Sequence, residues 1–257
     1  MLTEDRREKI QQMINRENSV QVENLSENFQ VSLATIRRDL AALEEAGVLR
    51  RVYGGAVAIK RPIASGEGFK NNLDLNVAEK HAIGKLAASL VEPGDTVLLD
   101  VGTTTLEVAK SLKDRSDITV LTNSLPILNE LVESQVNVYS LSGRMRKNSY
   151  AFVGNLITNA LQSFHISKVF IGCGGFSMEY GITEHVYDSA QNRNFFIEQS
   201  DEAILVADSS KFGKNLSVIV ENSNMVRTVI SDSKLSPEWR AKIESKGITL
   251  LIAEVSE

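Results

Sequence analysis

Apolar positions in the first sixty residues keep a helical spacing, then give way to two short β-favouring runs around adjacent glycines. Between Thr3 and Glu17 the chain is polar except for Ile10, Met13 and Ile14, which share one face of a short amphipathic helix. Val22 to Phe29 predicts a second short helix, with Leu25 and Phe29 four residues apart, and Gln30-Val31 the turn after it. A third helix is predicted from Ser32 to Glu45. Ser32 stands at its N-cap, Ile36, Leu40 and Leu43 form an inward stripe, and Gly47 supplies a left-handed stop. That stripe leaves Leu33, Thr35, Arg37 and Arg38 on or beside the outer face near the helix N-terminus. The hairpin that follows, Leu49 to Ile59, turns on the Gly54-Gly55 pair and carries Arg50, Arg51 and Tyr53.

A helix presenting arginines at its N-terminal end, followed directly by a basic hairpin, has the layout of a winged helix-turn-helix. Arg37 and Arg38 are placed to meet guanine edges in a major groove, each correct base being worth about 1–3 kcal/mol. Ser32 and the first helical N–H groups suit a phosphate. Arg50 and Arg51, with Tyr53 and Gly54 beside them, would reach the DNA backbone or the adjacent minor groove. An amphipathic helix with two arginines is, alone, more often a solvated face. The order of elements around this one shifts that weight toward double-stranded DNA.

The helical pattern lapses over residues 60–76, where Pro62, Ser65, Gly66 and Gly68 predict a linker. The expected domains are therefore 1–59, the linker 60–76, and 77–257. From Val77 onward, β-favouring runs at 96–101, 118–122, 136–141, 168–172, 202–207, 228–231 and 249–253 alternate with helical ones. The helical runs cover 78–91, 105–112, 125–134, 153–162, 188–199 and 237–246. Such alternation predicts an α/β fold with a mostly parallel sheet and helices on its faces.

Ligands of such sheets sit at the carboxyl ends of the strands, where four segments are distinctive here. Asp100-Val101-Gly102-Thr103-Thr104 turns into a helix, so hydroxyls and N–H groups converge on an anion. Thr122-Asn123-Ser124 repeats the arrangement, and Gly172-Cys173-Gly174-Gly175 lets backbone approach a ligand closely. Asp208 to Gly213 offers a carboxylate for hydroxyls and the Lys211 ammonium for phosphate. Each has a blander reading: a capped helix, a backbone turn, or an Asp208 that only caps its loop. Four anion-friendly ends in one sheet favour a phosphorylated small molecule.

Composition narrows the classes. Among 257 residues no apolar run approaches the ~20 that a membrane helix needs, and the charged N-terminus is unlike a signal peptide. A single cysteine, Cys173, leaves no internal disulfide and no metal cluster, which fits a reducing cytoplasm. The net charge of −5 argues against nucleic acid until it is split. Residues 1–60 balance nine basic against nine acidic side chains, and their cations cluster at Arg37-Arg38, Arg50-Arg51 and Lys60-Arg61.

Residues 31–40, Val-Ser-Leu-Ala-Thr-Ile-Arg-Arg-Asp-Leu, with Leu43-Glu44, Gly47 and Arg51-Val52-Tyr53-Gly54-Gly55-Ala56, resemble the signature of the DeoR family of bacterial regulators. The resemblance continues through Glu79-Lys80, Gly94-Asp95, Asp100, Gly102-Thr103-Thr104, Thr122-Asn123-Ser124, Gly143, Gly154, Phe170-Ile171-Gly172, Gly181-Ile182-Thr183 and Asp208 to Gly213. It implies a winged helix-turn-helix joined to a sensor domain of ribose-phosphate-isomerase/CoA-transferase-like, Rossmann-like fold. It further implies a repressor of a carbohydrate-catabolism operon, released from its operator by a phosphorylated sugar or related metabolite. The expected effector-binding residues are Lys80, Asp100, Gly102, Thr103, Thr104, Thr122, Asn123, Ser124, Gly174, Arg193, Asp208 and Lys211. No cofactor and no metal is expected, and paired half-sites imply a homodimer or homotetramer.

Some positions depart from the family pattern. Gln21 stands where a Ser or Thr cap is usual, at a cost of about 1 kcal/mol to that helix start. Val101, Ser142 and Asn72 replace Ser, Gly and Arg. Asn192 replaces a helix Lys near the phosphate, so either Arg193 takes over the charge or the effector is less anionic. The competing reading is a sugar-phosphate isomerase using Asp100, Glu184, Asp208 and Lys211 as acid and base. Fold analogy alone does not carry that reading, and an isomerase has no use for the N-terminal segment. His81, His165 and His185 keep no metal spacing, and Cys173 is expected to be a buried small residue.

Overall fold

The computed structural model describes residues 3–17, 19–45, 48–58 and 69–255, and the chain divides into two compact units, Met1–Ile63 and Ala64–Glu257. The expected stop at Gly47, the Lys60-Arg61 pair and the Pro/Gly-bearing stretch 60–68 lie outside the described residues.

In the first unit, α1 (Thr3–Glu17), α2 (Val22–Phe29) and α3 (Leu33–Glu45) pack on a small sheet of β1 (Ser19–Gln21), β2 (Leu49–Val52) and β3 (Gly55–Ala58). The core contains the expected apolar stripe: Ile10 and Ile14 from α1, Leu25 from α2, and Ile36, Leu40 and Leu43 from α3. Ser32 caps α3, its Oγ accepting from the Thr35 N–H at 3.2 Å. Gln21 makes no side-chain cap at α2; the Val22 N–H instead donates to the Gly54 carbonyl in the wing turn. Gln30 closes α2 in the left-handed conformation at φ 53°. The sheet order is β1-β3-β2, so the predicted hairpin gains an edge strand from Ser19–Gln21. Its turn is one residue earlier than expected: Tyr53-Gly54 forms the tip, and Gly55 already pairs with Val52 and Gln21. A Cβ on Gly55 would lie 2.1 Å from the Val20 carbonyl, so the close strand approach requires glycine there.

In the second unit, α4 (Phe69–Leu73) and α5 (Val77–Ala88) precede β4 (Thr96–Leu99), α6 (Thr103–Leu112), β5 (Thr119–Thr122), α7 (Leu125–Leu131) and β6 (Asn137–Ser140). A hairpin of β7 (Arg144–Arg146) and β8 (Ala151–Val153) leads to α8 (Asn155–Leu161) and β9 (Ile166–Ile171). Next come β10 (Gly175–Ser177), β11 (Gly181–Glu184), α9 (Tyr187–Glu198), β12 (Ser200–Val206), β13 (Val218–Ile219), β14 (Thr228–Asp232), α10 (Pro237–Glu244) and β15 (Thr249–Ala253). Seven parallel strands form the main sheet in the order β15-β14-β12-β9-β4-β5-β6.

All seven predicted strands are present and all lie in this sheet. Alternate residues feed its two faces. Leu98, Leu121, Val169 and Leu205 meet α8, α9 and α10, while Val97, Val120, Phe170 and Ile204 meet α5, α6 and α7. This two-sided burial explains the near-continuous apolar runs of these strands. The chain winds outward from β4 through β5 to β6, then restarts at β9 and winds the other way. The neighbours β4 and β9 therefore mark a topological switch point, where the connections leaving their carboxyl ends diverge and open a crevice.

The linker also differs from expectation. The predicted linker 60–76 contains α4, which belongs to the second unit: Phe69 N–H donates to the Asn148 carbonyl, and the Phe69 ring meets Tyr150 edge-on.

Candidate functional site

In the first unit, burial of Ile36, Leu40 and Leu43 turns the opposite side of α3 outward. Ser32, Leu33, Arg37 and Arg38 are exposed and Thr35 is partly so. Leu33, 40% exposed at the helix start, offers an apolar surface of the kind that meets a thymine methyl. Arg50, Arg51, Tyr53 and Gly54 are exposed on the wing. Arg51 is less free than Arg50, because the Glu44 carboxylate accepts from its backbone N–H at 2.8 Å and lies 3.8 Å from its Nε. That contact ties the wing to the end of α3.

Sequence reasoning missed what holds α3. Asp39, next to the exposed arginine pair, points inward and meets Arg6 Nε at 2.7 Å and Arg7 Nε at 3.0 Å. Asp39 and Arg6 are both buried, so α3 is fixed to α1 by charge as well as by apolar packing. An acid that follows two arginines on a helix gives no sign of which way it faces; only the phase of the apolar stripe could have suggested it.

In the second unit a cavity of about 190 Å³ opens at the switch point. Val101 to Thr104 after β4 and Gly172 to Gly174 after β9 form its base. Arg146, Asn148 and Ser149 of the β7–β8 hairpin, Phe69 and Asn72 of α4, Glu184 and His185, Ser189 and Arg193 of α9, and Lys211 complete the wall. Of the expected effector residues, Gly102, Thr103, Thr104, Gly174, Arg193 and Lys211 line this space. The α6 N-terminus enters it without a side-chain cap, leaving its first N–H groups for a ligand.

The structure places the other six expected residues behind the wall. Asp100 lies in ion-pair contact with Arg193, its Oδ2 2.7 Å from Nε. Lys80 is buried, its Nζ donating to the Asn72 and Leu73 carbonyls and to Thr103 Oγ1; burial holds its pKa below the ordinary lysine value. Asp208 Oδ1 accepts from Ser210 and from Asn76 Nδ2, so the bland reading of this residue as a loop cap is the one observed. Thr122 Oγ1 donates to the Leu99 carbonyl, and Ser124 Oγ caps α7. Asn123 Nδ2 donates to the Phe152 carbonyl, and Leu125 N–H to that of Tyr150. The Thr122–Leu125 turn thus braces the β7–β8 hairpin rather than facing the cavity.

Arg193 does reach the wall, but two carboxylates hold it: Nη1 is 2.7 Å from Glu184 Oε1, and Nε contacts Asp100. Burial opposes its charge, and these carboxylates outweigh that, raising its pKa. Glu184 Oε1 also accepts from the Gly174 N–H at 2.7 Å, so this triad staples the β9 turn, β11 and α9 to the end of β4. Arg193, one of the two alternatives raised for the Asn192 position, thus reaches the wall with its charge already matched by two carboxylates. Asn192 is itself buried, with Nδ2 3.5 Å from the Phe152 carbonyl.

Arg146, which the sequence did not single out, supplies a cation instead. Its Nε donates to Ser149 Oγ and its Nη2 to Ser189 Oγ, while the buried Nη1 has no hydrogen-bond partner. His185 Nδ1 is likewise buried and unpartnered. Among the described residues neither Arg146 nor Lys211 is in an ion pair. Cys173 faces the cavity as an inert wall group: burial pushes its thiol up to about 12.

Two family profiles cover these two units: the one described as DeoR-like helix-turn-helix domain matches residues 6–62, and the DeoR C terminal sensor domain matches residues 75–233. The transcriptional repressor AccR of Agrobacterium fabrum is 36% identical over 234 residues, covering 90% of each chain. A lactose phosphotransferase system repressor of Staphylococcus epidermidis is 33% identical over 244 residues, covering 94% of this chain and 96% of its own. Ribose 5-phosphate isomerase A from Methanocaldococcus jannaschii overlaps 52% of this chain and 53% of its own, at 14% identity and a TM-score of 0.40. No helix among the described residues is long and apolar enough to cross a membrane. With a winged helix-turn-helix before an α/β sensor, and relatives matched over nearly the whole length, the chain belongs to the DeoR family and is a DNA-binding transcriptional regulator rather than an enzyme.

Proposed function

We propose that the chain represses a carbohydrate-catabolism operon and leaves its operator when a phosphorylated sugar, or a closely related anionic metabolite, occupies the switch-point cavity. The observation that carries the effector class is the meeting of Lys211, Arg146 with its unpartnered Nη1, and the uncapped α6 N-terminus around one cavity of about 190 Å³. Two cations and a helix N-terminus suit a phosphate dianion. Asn72, Asn148, Ser149 and the Thr103-Thr104 hydroxyls suit a polyol. The names of the relatives, which include repressors of sugar systems, support the same class. On this reading the regulator acts in the cytoplasm without a cofactor, as a homodimer or homotetramer on paired half-sites.

The test begins by selecting the preferred duplex from a randomised pool, then measuring its release by fluorescence anisotropy against a panel of sugar phosphates. We expect at least one phosphorylated sugar to release the DNA while its unphosphorylated parent does not. Equal release by the parent sugar, or no release by any member of the panel, overturns the effector class.

A further inference from the structure

Three features of the cavity remain unexplained by ligand binding alone. First, its wall includes α4, and α4 is the first described element after the DNA-binding unit, joined to it through residues 59–68. Second, α4 rests on the β7–β8 hairpin. The Phe69 N–H donates to the Asn148 carbonyl at 3.0 Å, the Phe69 and Tyr150 rings meet edge-on at 6.1 Å, and the Lys70 ammonium lies 5.9 Å from the Tyr150 ring centre. Third, Tyr150 sits at φ 53°, a left-handed conformation that a bulky side chain avoids and that is held only where surrounding contacts impose it.

The hairpin that carries Tyr150 also carries Arg146, whose buried Nη1 has no hydrogen-bond partner. From the other side, Lys80 joins Thr103 at the α6 N-terminus to the last carbonyls of α4. A ligand anion drawn between Arg146 and the α6 N-terminus thus touches both supports of α4 at once.

We infer that α4 is the coupling element of this regulator, and that the Tyr150 ring transmits occupancy of the cavity from the Arg146 hairpin to α4 and so to the chain leading to the DNA-binding unit. This rests on the proposed effector reading. The Tyr150 ring meets the Phe69 ring edge-on and is not itself among the residues that line the cavity, so its removal takes no direct contact from a ligand there.

The experiment compares full-length wild type, Tyr150→Ala and Tyr150→Phe, using the selected duplex and whichever sugar phosphate releases the wild type. Ligand affinity is read by calorimetry, DNA affinity by anisotropy with and without ligand, and folding by thermal unfolding. We expect Tyr150→Ala to bind ligand and DNA separately within about threefold of wild type, while the ligand-induced loss of DNA affinity falls at least tenfold. Tyr150→Phe, which keeps the ring, should behave as wild type. Normal release of Tyr150→Ala overturns the inference, as does loss of ligand binding in that variant or a Tyr150→Phe that is also uncoupled. If Tyr150→Ala does not fold, Lys70→Ala removes the cation from the same ring and should show a partial loss of coupling; full coupling there overturns it. A wild type that no sugar phosphate releases refutes the effector reading instead, so the two failures are distinguishable.

Discussion

Arg37 and Arg38 stand exposed on α3 while Asp39, the next residue, is sealed against Arg6 and Arg7. Neighbours in sequence thus face opposite ways: the arginines toward solvent, the carboxylate into the anchor with α1. Replacing Arg37 or Arg38 by Ala should cost about 1–3 kcal/mol at the bases it reads and lower the ratio of operator to random-duplex affinity, with unchanged thermal stability. An unaltered ratio in competition binding would remove that residue from the readout. In the sensor, Arg146→Ala and Lys211→Ala should each weaken effector binding by about 1.5–3 kcal/mol, the range for hydrogen bonds to a charged group. Calorimetry checks this, and an unchanged affinity in either variant excludes that cation. Cys173 gives a pH prediction. Its thiolate appears only as pH approaches about 12, so alkylation by iodoacetamide at pH 7.5 should be far slower than for an ordinary cysteine and accelerate with pH. Rapid labelling at neutral pH would mean that the thiol is not held as described.

At the scale of elements, α3 and the wing followed from periodicity and turn chemistry, because an exposed helix face and a glycine turn are local properties. The buried anchor was not local. Asp39→Ala would leave Arg6 buried without its carboxylate and should destabilise the first unit by about 3–5 kcal/mol in thermal or urea unfolding. A loss under 1 kcal/mol would show that apolar packing alone fixes α3. The sensor shows the same division. The five inner strands of its sheet were legible because two-sided burial demands continuous apolar runs. The β7–β8 hairpin was not legible: its strands are only three residues long, too short to show alternation, and Ala151 bridges to Ser124 in a turn distant in sequence. Arg146 stayed hidden for that reason. Likewise α4 is a five-residue helix, too short for a period to register, held by Asn148, Tyr150 and Lys80 from distant parts of the chain.

At the scale of the whole molecule, the proposed function requires the cavity and the α3–wing surface to bias one another. Linkage makes that bias reciprocal: if effector lowers DNA affinity by some factor, DNA must lower effector affinity by the same factor. Calorimetric titration of effector into free protein and into the protein–operator complex checks this, and unequal factors would show that some other species, such as a change of assembly, intervenes. The sequence by itself determined the two units, the α/β class, the inward stripe of α3 and the outward arginines. Each depends on spacing within one segment and on the burial that spacing allows. Only the tertiary structure decided which polar groups line the cavity. Six expected contacts, Lys80, Asp100, Thr122, Asn123, Ser124 and Asp208, stand outside the lining of the cavity. Arg146, with no local mark, reaches the cavity because a hairpin distant in sequence folds over the switch point. A polar side chain's role depends on which partner satisfies its hydrogen bonds, and that partner is chosen by packing between segments far apart in the chain.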